Sequence, residues 1–214
     1  MAEARTVEDP HGRERRRYSA LSIVLHWTIA ALILTQFCLG WYMNEVLPDH
    51  SPAQDRVQDI HVEIGLTVLI LVLVRIVSRL AIPVPKLPPE FPRWESALAR
   101  TVHVLFYVLM LVMPLSGWLL MTVRQEHIEF WGLRWPYLPG LEGVTGKAHR
   151  DFARAAKHWH IFTQVWIAWA MIALHVAGAL KHQFDGRPVL WRMIPFLRAP
   201  SQAEAVVRSR QSQA

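Results

Sequence analysis

Four stretches of the chain stay apolar long enough to cross a hydrocarbon layer, and the segments between them are polar, charged or rich in proline. They run over about residues 19–42, 60–82, 101–123 and 159–180. Each approaches the roughly 20 residues that a helix needs to span a bilayer core about 30 Å thick. The first run is too long for the apolar core of a signal peptide, so an uncleaved first span is expected. The expected fold is all-α, an integral membrane four-helix bundle over residues 18–195. A basic arm at 1–17 and a tail at 196–214 are expected to be disordered.

The connections differ in character. Gly40-Trp41-Tyr42 closes the first span with an interfacial aromatic pair, and residues 43–58 read as a short acidic loop. Pro83, Pro85, Pro88, Pro89 and Pro92 predict a stiff, extended connection after the second span. Pro114 predicts a kink in the third. Residues 124–146 are aromatic and turn-rich, and from Lys147 the pattern becomes that of a basic amphipathic helix leading into the last span.

Composition adds the orientation. The chain is 52% hydrophobic with ten tryptophans, yet 19% charged, a mixture that fits a small membrane protein with polar ends. Its net charge of +6 reads as topology and not as nucleic-acid binding. Arg5, Arg13, Arg15, Arg16 and Arg17 lie before the first span, and Arg75, Arg79, Lys86, Arg93 and Arg100 flank the second connection. Lys181, Arg187, Arg192, Arg198, Arg208 and Arg210 follow the last span. The other two connections hold Arg56, Arg124, Arg134, Lys147, Arg150, Arg154 and Lys157. Sixteen against seven places both termini in the cytoplasm, which requires an even number of spans. Cys38 is the sole cysteine, so neither an internal disulfide nor a CxxCH attachment site exists.

The chemistry lies in the histidines. An imidazole inside a membrane helix is costly and is read as functional by default. His160 and His175 share the last span fifteen residues apart, about 22 Å along a helix axis, so one lies near each face. With the alternating direction of the spans, His26 falls at the inner depth and His61 at the outer. The depth-matched pairs are His26 with His175 and His61 with His160, each drawing on two helices as a bis-imidazole centre requires. Gly40, Gly65 and Gly178 supply small surfaces where a wide porphyrin would pass. Arg75, fourteen residues after His61, and Arg79 could pair with a propionate of the inner haem. A bare zinc ion would demand three or four close ligands.

Other readings stand beside these. A membrane histidine also serves as a helix–helix hydrogen-bond donor, and arginines at a helix end also snorkel. His158 and His160 form an HxH pair, but residues i and i+2 diverge on a helix. His103 and His182 read either as interface residues or as a quinone site. His11, His50, His127 and His149 fall in polar segments and read as solvated. A metal or proton transporter would need ionisable groups along one continuous path. The span interiors offer only Thr35, Gln36, Ser116 and Gln164 as polar exceptions.

Leu25-His26-Trp27, the run His61-Val62-Glu63-Ile64-Gly65 with Arg75 and Arg79, and Pro114-Leu115-Ser116-Gly117-Trp118 resemble the bacterial cytochrome b561 family. So do Trp159-His160 and the stretch from Leu174-His175 to Lys181-His182. The resemblance covers about residues 18–195 and extends to the cytochrome b subunits of nickel–iron hydrogenases. It implies a multi-pass protein of the bacterial inner membrane that binds two b haems through His26, His61, His160 and His175. Some members resemble superoxide:ubiquinone oxidoreductases, which implies a periplasmic electron donor and a quinone. Others imply a membrane anchor for a partner dehydrogenase. The position of His182 is associated with the quinone end, where Gln183 replaces the second half of the family's usual doublet. Arg134, Lys147, Arg150, Arg154 and Lys157 would attract superoxide or dock an acidic partner. The segment from Arg124 to Lys157 is longer than the family norm.

The family spaces the histidines of its fourth helix fourteen residues apart, against fifteen here. Fourteen steps of a regular helix return within about 40° of the starting direction, while fifteen overshoot by about 60°. A one-residue π-bulge between Thr163 and Ala173 is therefore expected. Protein purified from haem-replete cells should give the reduced-minus-oxidised spectrum of a b-type cytochrome. A colourless preparation would overturn the haem reading.

Overall fold

The computed structural model describes residues 6–8, 14–82, 92–141, 146–185 and 187–198. The proline-rich stretch 83–91 and the expected disordered tail beyond 198 lie outside them. Helix α1 spans Ala20–Glu45, α2 Pro52–Ala81 and α3 Arg93–Arg124. Helix α4, Lys147–Phe162, passes through a π-helical turn at Thr163–Ala168 into α5, Trp169–Phe184. Four helical stretches are long and apolar enough to cross a membrane: Ala20–Glu45, Pro52–Ala81, Arg93–Arg124 and His149–Phe184.

Helices α2 and α3 begin well before their apolar windows, so residues 52–58 of the expected acidic loop are helical. Hydropathy marks where hydrocarbon would lie, whereas helix starts are set by caps. Ser51 accepts from the Gln54 N–H at 3.2 Å, with Pro52 in the first turn. Ser19 does the same for Ser22 at the start of α1, at 3.2 Å. Helix α3 runs through Pro114, which has no N–H to offer the Met110 carbonyl. The arm expected to be disordered carries a short antiparallel ribbon, β1 (Thr6–Glu8) with β2 (Glu14–Arg16).

Backbone contacts divide the chain into two compact units. The terminal unit comprises residues 1–26, 75–103 and 171–214, and the hairpin unit 27–74 and 104–170. In the terminal unit Arg17 clasps the segment after α5, donating to the carbonyls of Trp191 and Pro195, each at 2.9 Å. The Arg192 guanidinium in turn lies over the Tyr18 ring, 5.6 Å from its centroid. Buried Glu95, in the first turn of α3, accepts from Lys181 and Arg187, each at 2.9 Å. The Lys181 ammonium also hydrogen-bonds Asp185 and holds that carboxyl below its ordinary range.

The hairpin unit is built around Leu66, Met121 and Ile128, with Val62, Trp118, Phe130, Trp135 and Tyr137 packed on them. The aromatic segment after α3 folds back onto this cluster. Its hairpin, β3 (Glu129–Phe130) with β4 (Leu133–Arg134), turns at Trp131 and Gly132, whose φ values are +50° and +83°. Two left-handed residues are what a tight two-residue hairpin of the right twist needs. Glycine adopts that conformation freely, but a tryptophan must be held there. The Trp131 N–H donates to Glu63 at 3.2 Å and its indole N–H to Thr67 Oγ1 at 3.0 Å. Further along, Trp118 Nε1 donates to the Pro136 carbonyl at 2.9 Å and the Leu138 N–H to Thr122 Oγ1 at 3.1 Å.

Ile128, 2% exposed, links the returning segment to both helices. Ile128→Ala should lower stability by about 2–5 kcal/mol. The effect would be measured as a lower thermal midpoint of the detergent-solubilised protein, and an unchanged midpoint would refute this anchoring.

Candidate functional site

In the hairpin unit His61 on α2 faces His160 in the last turn of α4, with ring centroids 6.2 Å apart and planes at 70°. In the terminal unit His26 on α1 faces His175 on α5, with centroids 6.3 Å apart and planes at 55°. The rings expected to pair thus lie near one another. Two imidazoles joined end to end by a direct N–H···N bond would have centroids about 5.1 Å apart. Opposed on one metal ion, with bonds of about 2.0–2.1 Å, they would have centroids roughly 6.3 Å apart. Both pairs sit at the wider spacing. Among the described residues no group of three or more His, Cys, Asp or Glu is placed to hold a metal ion. Two-ligand sites of this kind suit a metal whose remaining ligands come from a macrocycle.

Three of the four polar exceptions in the spans gather around the pair in the hairpin unit. Gln36 Nε2 donates to the His61 carbonyl at 2.8 Å, while Gln36 Oε1 is buried without a protein partner among the described residues. A Cβ on Gly65 would come within 3.0 Å of the Gln36 amide, and one on Gly40 within 3.0 Å of the Gln164 amide. Each glycine thus lets a glutamine side chain from another helix pack against its own backbone. Ser116 Oγ lies 2.7 Å from His160 Nδ1, and a Cβ on neighbouring Gly117 would touch His160 Cε1 at 3.5 Å. His61 Nδ1 is buried with no protein partner among the described residues. The fourth exception, Thr35, bonds back to the Ala31 carbonyl within its own helix. Sequence reasoning missed Ser116 and Gly117 as neighbours of His160. Their signal was depth: Gln36, Ser116 and Gln164 are polar residues at comparable levels in three different spans.

The terminal unit is more polar. Arg75 Nη1 donates to the Ser22 carbonyl at 3.0 Å, and Nη2 lies 3.4 Å from His26 Nδ1. That puts its charge beside His26. Arg79 is exposed one turn further along. His103 hydrogen-bonds the Ala99 carbonyl through Nδ1 at 2.5 Å and sets its ring edge-on to His175, with centroids 5.5 Å apart. His182 Nδ1 lies 3.9 Å from Glu95 Oε2, a partner that sequence reasoning did not single out. His158 stacks on Phe162 and joins neither pair. A Cβ on Gly178 would enter open space, with nothing within 4 Å.

The π-helical turn at Thr163–Ala168 falls inside the expected interval. The wider turn takes up one residue, so His160 and His175 each reach a partner despite the fifteen-residue spacing.

A family profile described as prokaryotic cytochrome b561 matches residues 17–196. The chain is 29% identical over 182 residues to cytochrome b561 homolog 2 of Escherichia coli K12, covering 83% of this chain and 91% of that one. It is 27% identical over 183 residues to a probable superoxide oxidase of Yersinia pestis, covering 84% and 97%. Cytochrome b561 homolog 1 of Escherichia coli K12 is 25% identical over 186 residues, covering 84% and 97%.

Deleting Ile167, exposed in the wide turn, should convert it to regular helix and leave haem stoichiometry unchanged. Inserting one alanine there should lower the stoichiometry. Loss of haem on deletion would show that the bulge does not correct the spacing.

Proposed function

Because the chain belongs to the prokaryotic cytochrome b561 family, and is accordingly a membrane cytochrome of the inner membrane, we propose that it carries electrons across that membrane through two b haems. They pass from a periplasmic donor to a quinone. The observation that carries the proposal is the pair of matched imidazole spacings, 6.2 and 6.3 Å, one in each unit. His61 and His160 would hold the outer haem, and His26 and His175 the inner. When bound, each haem supplies a one-electron iron couple.

The chain's own residues do the rest. Apolar span walls keep water from the path. The Arg75 guanidinium places positive charge beside the inner pair, where it would meet a propionate. His103 and His182 stand at the cytoplasmic end, suited to hydrogen-bond quinone oxygens and deliver protons. Glu95 lies next to His182 and shares Lys181 and Arg187 with it electrostatically.

Superoxide is the donor that the charge pattern favours, and one relative is named for its oxidation. Lys147, Arg150, Arg154 and Lys157 recur at helical spacing along α4 and are all exposed. Such a stripe focuses small anions. Two superoxide anions would give up two electrons and leave as O2; the quinone would take both electrons with two protons and become quinol. The same stripe fits an acidic redox protein, the arrangement expected of a membrane anchor subunit for a dehydrogenase.

Purified protein supplied with quinone should consume superoxide, more slowly as ionic strength rises, and Arg150→Glu should slow it further. Activity seen only after a redox partner is added would overturn the stand-alone reading in favour of the anchor. His61→Ala and His175→Ala should each reduce haem from two to one per chain. Loss of neither would refute the pairing.

A further inference from the structure

Resting on the outer bis-histidine reading, the geometry points to Ser116 as a positioning residue that fixes the tautomer of His160 and strengthens it as an iron ligand. The hydroxyl makes two contacts, to the Met113 carbonyl at 2.7 Å and to His160 Nδ1 at 2.7 Å. A carbonyl oxygen only accepts, and a serine hydroxyl has one proton to give. Both contacts are hydrogen bonds only if the hydroxyl donates to Met113 and accepts from an Nδ1–H. The proton of the neutral His160 imidazole is therefore on Nδ1, and Nε2 presents its lone pair to the metal.

The arrangement is one-sided. Across the pair, His61 Nδ1 is buried with no protein partner among the described residues. Within this pair, then, only His160 has a side chain bonded to its second nitrogen. A hydrogen bond accepted from Nδ1–H moves electron density onto the ring and raises the basicity of Nε2. A more basic ligand stabilises ferric over ferrous iron, so Ser116 lowers the potential of the outer haem.

The test uses the full-length, haem-loaded protein and a redox titration of both haems. Ser116→Ala should keep the fold and raise one midpoint potential while leaving the other in place. Affinity for the shifted haem should fall roughly tenfold to a hundredfold. That haem should be the one missing from His160→Ala. Ser116→Thr, which keeps a hydroxyl, should restore the original potential, a rescue that a purely packing role would not give. Unchanged potentials in Ser116→Ala, with one haem lost in His160→Ala, overturn the role of Ser116 alone. Retention of both haems in His160→Ala overturns the outer pair itself, and this proposal with it. Should Ser116→Ala lose both haems through misfolding, Ser116→Cys decides: its thiol is a weaker acceptor, so the same potential must rise, and no change refutes the proposal.

Discussion

A polar ring nitrogen in a helix bound for hydrocarbon is costly unless something satisfies it. Backbone groups in a membrane span bond within their own helix, whereas an imidazole brings ring nitrogens that need partners besides. Four histidines of this chain come together two by two, with ring centroids 6.3 and 6.2 Å apart. In the hairpin unit the serine on α3 lies against the His160 ring, and the wide turn begins three residues after it.

The two units support their pairs differently. In the hairpin unit the support is a packed cluster under a returning aromatic segment, tied to α2 by Trp131 at Glu63 and Thr67. Those two contacts fall on the same helix as His61 and within two turns of it, so the hairpin steadies the helix that carries this histidine. In the terminal unit the support is electrostatic. Arg17 gathers the carbonyls of the segment after α5, and Glu95 collects two cations from the end of α5 and beyond. A quinone site would need such surroundings, since it handles protons as well as electrons.

The four spans and the pairing of the histidines were legible in the sequence, because length and depth are one-dimensional quantities. A run of apolar residues measures its own height, and a histidine's place in the run gives its level. The fifteen-residue spacing even located the π-helical turn, since helix arithmetic leaves few ways to absorb one extra residue. Helix starts were less legible: Ser51 and Pro52 begin α2 inside a stretch whose polarity reads as loop. The contact between Ser116 and His160 was illegible for a different reason. Depth says which residues share a level, but not which of them face each other, and that depends on the rotation of each helix about its axis. Glu95 was hidden likewise, a single acid in a polar segment whose importance lies in what packs around it.

The wide turn at Thr163–Ala168 also bears on how this chain is matched to others of its kind. A helix is commonly treated as a rigid ruler along which equivalent residues sit at equal counts. Here the ruler has a slip joint, and counting from His175 backwards arrives one place short of His160. Correspondence between such chains is carried by height in the membrane and by the direction of a ring. Against a chain that spaces these histidines fourteen residues apart, a gap in the middle of the fourth span would keep the rings in register.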